Sequence, residues 1–263
     1  MRQGITGVVV TVALMLTACS WSAAATPPSD EVGRYIGVTY SFDYHTIWLS
    51  KGALGYGKQG AAFNTVNLDF FQTGFGAKVT HRNAAHDGYV DKQRFDYIPY
   101  YKGKAFVGEW HQIDFDVSVG YEHYYGRARH KANTTWESVF AFKFPGLSVF
   151  GAVPRYIVHY ETPVSGGDAN RKVAGWIHRF GFDLPIKNEV LPLKLSSEVA
   201  YYGGLGNTTH DWAYANVGLS SSFPVCPNVT FVPGIYQQIS FDDAVNSNKD
   251  ITYGIFSVVV RMK

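Results

Sequence analysis

The chain has 263 residues, 23 of them Lys or Arg and 21 Asp or Glu, for a formal net charge of +2. That balance excludes a strongly basic surface of the kind that holds nucleic acid. Charged residues make up 17% and aromatic residues 16%, so charge falls short of the usual quarter of a soluble domain, and the excess of Tyr and Phe suits a membrane barrel with aromatic girdles.

Taken in chain order, the first element is an export leader over residues 1–25. Arg2 precedes a mostly apolar run from Ile5 to Leu16, and the small residues Ala23, Ala24 and Ala25 follow. The run is too short to cross a bilayer as a helix, which needs roughly 20 residues. Cleavage after Ala25 is expected. The alternative is cleavage before Cys19, because Leu16-Thr17-Ala18-Cys19 is similar to a lipobox and would make Cys19 a lipidation site. With Cys19 lost or lipidated, the sequence supplies no internal disulfide framework. Residues 26–33 form a short N-terminal segment, and residues 34–263 the main domain.

From Ile36 onward, apolar and polar residues alternate with the period of a strand. Ile36, Val38, Tyr40, Phe42 and Tyr44 form the first apolar row. Val66, Leu68 and Phe70 form the next, and Phe75, Ala77 and Val79 follow the turn at Thr73-Gly74. Ile113, Phe115, Val117, Val119 and Tyr121 alternate with Asp114, Asp116, Ser118, Gly120 and Glu122. Later rows are Trp136 to Phe144, Trp176 to Leu184, and Leu193 to Tyr201. No segment carries a period of 3.6.

Tight connections at Thr73-Gly74, Pro145-Gly146, Lys187–Val190 and Pro224–Asn228 alternate with longer ones near 49–61, 126–131, 162–171, 204–210 and 242–250. Outer-membrane barrels alternate short turns with long loops in this way. The rhythm requires one more strand over Arg94–Tyr101, followed by a turn at Lys102-Gly103-Lys104. Counting it predicts an all-β, antiparallel, up-and-down transmembrane barrel of about twelve strands. Pro99, Pro154 and Pro233 then fall at bulges or rims, since proline removes a ladder hydrogen bond.

A charge on the lipid face near the midplane costs roughly 2–4 kcal/mol, so charges belong in the lumen. Asp43, Asp69, Lys78 and Asp96 lie opposite the apolar rows, as do the residues expected to line a pore: Asp114, Asp116, Glu122, Glu137, Lys143, Arg179, Asp183, Lys194 and Glu198. Asp114, Asp116 and Glu122 are expected to face Lys143 and Arg179. His178 falls in an apolar row and reads as an interface residue. Arg155 has no assigned face.

On the acidic strand Ile113-Asp114 through Glu122-His123-Tyr124-Tyr125, the Trp136-Glu137-Ser138-Val139 segment, Ala213-Tyr214-Ala215-Asn216-Val217-Gly218 and the terminal Tyr253-Gly254 strand, the chain resembles the TorF-like family of outer-membrane porins. The resemblance implies a porin-like fold. It departs at the end, Val260-Arg261-Met262-Lys263, where such barrels carry an aromatic residue read by the barrel assembly machinery.

Twelve strands lie between eight, whose interior side chains fill, and sixteen, which leave a wide channel. The expected function is passive diffusion of small hydrophilic solutes or ions across the outer membrane of a Gram-negative bacterium, with outer-membrane lipid around it and no cofactor. Two alternatives stand beside it. One is a closed structural barrel in which opposed charges fill the lumen. The other is a hydrolase with a rim site using His123, His130 or His159, although no G-x-S-x-G motif accompanies them. His81, His86 and Asp87 match no established metal-ligand spacing. The Asn-x-Thr triplets at Asn133, Asn207 and Asn228, and Gly166-Gly167-Asp168, read as loop polarity.

Overall fold

A computed structural model describes residues 35–86, 93–125, 134–164, 174–186, 191–204, 211–243, 245 and 249–262. The leader, its cleavage positions and Cys19 lie outside them, as do His130, Asp87, Asn133, Asn207, Gly166-Gly167-Asp168 and the Lys187–Val190 turn. In chain order the strands are β1 (Ile36–His45), β2 (Leu49–Ser50), β3 (Ala53–Lys58), β4 (Ala61–Phe70), β5 (Phe75–Ala84), β6 (Gln93–Ala105), β7 (Ile113–Tyr124) and β8 (Thr135–Lys143). They continue as β9 (Val153–Pro163), β10 (Gly175–Ile186), β11 (Leu193–Gly203), β12 (Asp211–Ser221), β13 (Phe223–Cys226), β14 (Val229–Ser240) and β15 (Ile251–Met262).

Twelve of these strands, β1, β4–β12, β14 and β15, pair antiparallel in sequence order. β1 joins β15 from Val38↔Met262 to His45↔Ile255, which closes the ring. β13 is a short extension paired with the start of β14. β2 and β3 form a separate hairpin inside the connection from β1 to β4.

Side-chain parity turns the barrel inside out relative to a soluble sheet. Val66, Val119, Phe140, Val217 and Ile235 are exposed on the outer wall. Arg94, Asp96, Glu122, Glu161 and Gln238 are buried on the inner one, with Asp96 and Gln238 at 0% exposure. Water would reverse that pattern, so the outer wall belongs in lipid. Aromatic pairs stand toward both ends of the wall. Toward the long loops, Tyr121 meets Trp136 with ring centres 4.9 Å apart, Tyr160 meets Trp176 at 4.4 Å, and Tyr201 meets Trp212 at 5.4 Å. Toward the short turns, Phe75 packs on Tyr101 at 4.6 Å, and Tyr101 lies 5.9 Å from Phe115. His178 stands in the outward row and bonds the Tyr156 hydroxyl at 2.7 Å, in keeping with an interface position.

The strand required by the loop rhythm is β6, and it is longer than its sequence suggested. The expected turn at Lys102-Gly103-Lys104 is extended chain, and the chain reverses over residues 106–112 instead. Pairing of Lys102 with Asp116 and of Lys104 with Asp114 continues the ladder, since opposite charges across a strand pair stabilise it. Gly103 serves close packing here, because a Cβ at that position would lie 2.5 Å from the Phe115 ring.

The prolines make no bulges. The β6–β7 ladder skips Ile98 and Pro99 without changing register. Pro154 and Pro233 each lie one residue past the end of a ladder, β8–β9 and β12–β14 respectively. Among the twelve barrel strands, the register shift falls between Ala200 and Tyr201 of β11.

Candidate functional site

The acidic alternation of β7 and the matching rows of its neighbours place all nine sequence-predicted residues on the inner wall. Near the short turns, Asp114 lies 3.9 Å from the Lys104 ammonium and accepts a 2.8 Å bond from the Gln112 amide. Asp116 lies 3.8 Å from Lys102. Asp183 stands 3.9 Å from both Lys143 and Arg155. Higher in the barrel, Glu198 binds Arg155 at 3.2 Å and Arg179 at 3.6 Å. A cavity of about 250 Å³ opens between Arg155, Asp183, Lys194 and Glu198, walled on its far side by Asn216, Tyr236 and Tyr253.

The pairing differs from the expected one. Asp114 shares a register position with Lys143, yet its ion pair is with Lys104, because β6 continues past the anticipated turn and brings two lysines to the wall. Glu122 binds neither Lys143 nor Arg179. Arg94 from β6 clamps it with two bonds of 2.7 and 2.8 Å, and the Thr135 hydroxyl donates a third at 3.2 Å. Arg94 also approaches Asp96 at 2.6 Å, and Arg82 reaches the other oxygen of that carboxylate at 2.6 Å.

The sequence reading did not foresee that the connection from β1 to β4 folds into the lumen. Lys51 (φ 51°) and Gly52 (φ 83°) make a two-residue turn with both φ positive, the kind that matches the twist of a hairpin. Leu49 pairs with Leu54 and Ser50 with Ala53. The root of this hairpin is apolar. Trp48 packs on Tyr56 at 4.6 Å and on Phe63 at 5.8 Å, joined by Ala61 and Ala84, while Arg82 and Arg94 lie 5.5 and 5.7 Å from its ring.

The tip crosses to the far wall. The Lys51 ammonium sits 2.6 Å from Glu161, 3.3 Å from Glu137 and 3.9 Å from Glu122, on three neighbouring strands. Burial alone would lower the Lys51 ammonium, but Glu122, Glu137 and Glu161 outweigh it and hold the group above its ordinary value. The Lys51 carbonyl accepts from the Tyr202 hydroxyl, and the Gly52 carbonyl accepts from the Gln238 amide at 2.7 Å. A Cβ on Gly52 would stand 2.3 Å from the Tyr214 ring, so this turn seats only with glycine. Val245, from the connection between β14 and β15, packs beside the tip against Tyr202, Tyr214 and Ile177. A second cavity of about 210 Å³ adjoins the hairpin between Trp48, Lys51, Arg82, Glu137, His159 and Arg179.

The two described histidines of the expected rim site, His123 and His159, lie on opposite faces of the wall. His123 points outward beside Tyr121. His159 points inward, bonding Glu137 at 2.8 Å through Nδ1 and Arg179 through Nε2. Both of its ring nitrogens are thus engaged by charged groups rather than by a hydroxyl nucleophile. Arg155, His159 and Glu161 share one parity on β9. That spacing was readable, but the neighbouring Ile157 blurred it.

No protein-family model and no curated protein matches the sequence. Among solved structures, the KdgM porin superposes with a TM-score of 0.55 at 9% identity, over 86% of this chain and 99% of its own length. A NanC porin gives 0.48 at 8% identity over 87% and 100%. An outer membrane channel from Pseudomonas putida F1 gives 0.47 at 10% identity over 90% and 100%. The chain shares the closed antiparallel barrel fold of a porin.

Proposed function

We propose that the protein is a porin-like channel of the Gram-negative outer membrane, of the TorF-like kind, that passes small hydrophilic solutes or ions by passive diffusion. In this reading the leader directs export, the barrel assembly machinery inserts the strands, and Asp114, Asp116, Glu122, Glu137, Lys143, Arg179, Asp183, Lys194 and Glu198 line the path. The observation that carries it is the unfilled polar lumen. Cavities of about 250 and 210 Å³ remain between paired charges, each with room for several waters at about 30 Å³ apiece. The hairpin favours a narrower version of the same reading, in which the resting channel is constricted near its long-loop end. The hydrolase alternative loses support from the placement of His123 and His159.

Planar-bilayer recording of refolded protein tests the proposal. Discrete conductance steps are expected, and Asp114→Asn with Asp116→Asn should shift ion preference toward anions, because two lumen carboxylates are lost. A barrel that stays silent both intact and with residues 49–58 removed would overturn the channel reading and leave the fold untouched.

A further inference from the structure

Resting on that channel reading, we infer that the carboxylate cage around Lys51 recognises solutes bearing a primary ammonium, which displace the Lys51 side chain and release the hairpin tip. The cage is already seen holding such a group, the chain's own. Three carboxylates from β7, β8 and β9 converge on a single ammonium, and all three are largely shielded, at 4%, 13% and 8% side-chain exposure. A primary ammonium carries three N–H donors and no acceptor, which suits three converging carboxylates. A metal ion suits them less, because Glu122 is committed to the two-pronged Arg94 clamp, and no group with metal-holding geometry occurs among the described residues.

The three acids are unequally supported. Glu122 keeps Arg94 and Glu137 keeps His159 when the tip leaves. Among the described residues, Lys51 is the cation on Glu161. Withdrawing it strands a buried carboxylate, which is strongly unfavourable, so the tip stays seated until another cation takes its place. The tip carbonyls of Lys51 and Gly52 also accept neutral hydrogen bonds from Tyr202 and Gln238, of a kind that water can replace. The root is held by apolar packing around Trp48 and stays behind. Motion is therefore confined to the segment between Trp48 and Tyr56, where Gly52 already adopts a positive φ. The 210 Å³ cavity beside the cage accepts the body of a small amine.

The test records refolded wild-type protein in planar bilayers while potassium chloride is replaced, at constant ionic strength, by methylammonium chloride or by tetramethylammonium chloride. Methylammonium should raise the open fraction and saturate. Tetramethylammonium, which has no N–H, should not. Lys51→Met should be open without amine, with an open-to-closed ratio at least about tenfold above wild type, since the latch includes at least one charge-assisted hydrogen bond. Lys51→Arg, which keeps a cation in the cage, should stay closed. Equal responses to the two amines would overturn the inference, as would a Lys51→Met channel that is folded and as closed as wild type. The wild-type titration decides the matter even where a variant fails to fold. If protein lacking residues 49–58 conducts while the wild type ignores methylammonium, the amine inference fails and the channel stands. If that shortened barrel is silent, the channel reading falls first.

Discussion

Arg94 is the side chain on which the electrostatic account of the lumen can be tested most sharply. Its guanidinium is 2% exposed, bonds both oxygens of Glu122 and the Tyr124 hydroxyl, and lies 2.6 Å from Asp96. Arg94→Ala removes this group and leaves Glu122 and Asp96 in a site where neither is appreciably wet. Breaking one partner out of a buried pair costs about 3–5 kcal/mol. Arg82 still faces Asp96, and Lys51 still faces Glu122 at a longer distance. The expected loss therefore sits near the lower end, about 3 kcal/mol. Urea unfolding in phospholipid vesicles, followed by tryptophan fluorescence, measures it. Lys104→Ala is the internal control: its ion pair with Asp114 is 3.9 Å long and the lysine is 61% exposed, so the loss should stay within about 0.5 kcal/mol. Adding Glu122→Gln to an Arg94→Met background should recover part of the loss, because the orphaned charge disappears. A loss below about 1 kcal/mol for Arg94→Ala, or no recovery in the double variant, would refute the reasoning by showing that water screens this cluster.

Two further outcomes follow from the same geometry. Val119 is 43% exposed on the outer wall, so Val119→Arg should cost about 2–4 kcal/mol in the urea experiment, whereas Ser118→Arg, one residue away on the lumen side, should cost less than half as much. Equal costs would mean that the faces are misassigned. The Lys51 ammonium is held above its ordinary value in the folded state, so its contribution is complete below the unfolded value of about 10.4 and is lost only as pH rises through the higher folded one. Resting conductance should accordingly stay flat between pH 7 and about 9.5, and a latch that opens within that window would show that Lys51 is not the group holding the tip.

The barrel was legible because its two faces meet opposite solvents, which stamps a period of two on every long strand. Loop rhythm recovered β6 despite Pro99, since the strand count had to close. It misplaced the following turn because Gly103 carries two possible meanings, a reversal or a close contact, and only the Phe115 ring beneath it decides between them. The inward row of β9 escaped notice for a related reason. Arg155, His159 and Glu161 alternate with Tyr156, Val158 and Tyr160, but Ile157 sits among the charged residues and blurs the contrast. The hairpin was beyond local reading altogether. Its strands are two and six residues long, and the bonds that hold its tip run to Tyr202 and Gln238, 151 and 186 residues away.

That non-local element also explains why the inner wall is built unevenly. Along much of the lumen a carboxylate meets a cation anchored on a strand: Lys104 for Asp114, Lys102 for Asp116, Arg155 for Asp183 and Glu198, Arg94 for Asp96 and Glu122. Such pairs neutralise locally and are fixed by the ladder. At Glu161 and Glu137 the ammonium arrives instead from a connection between strands. A charge supplied by the wall cannot leave without unfolding the wall, but one supplied by a loop can be exchanged. Under the proposed latch, opening concentrates on this single exchange, and Glu137 and Glu161 together with Glu122, rather than Asp114 and Asp116 that are most conspicuous in the sequence, would select what gains entry.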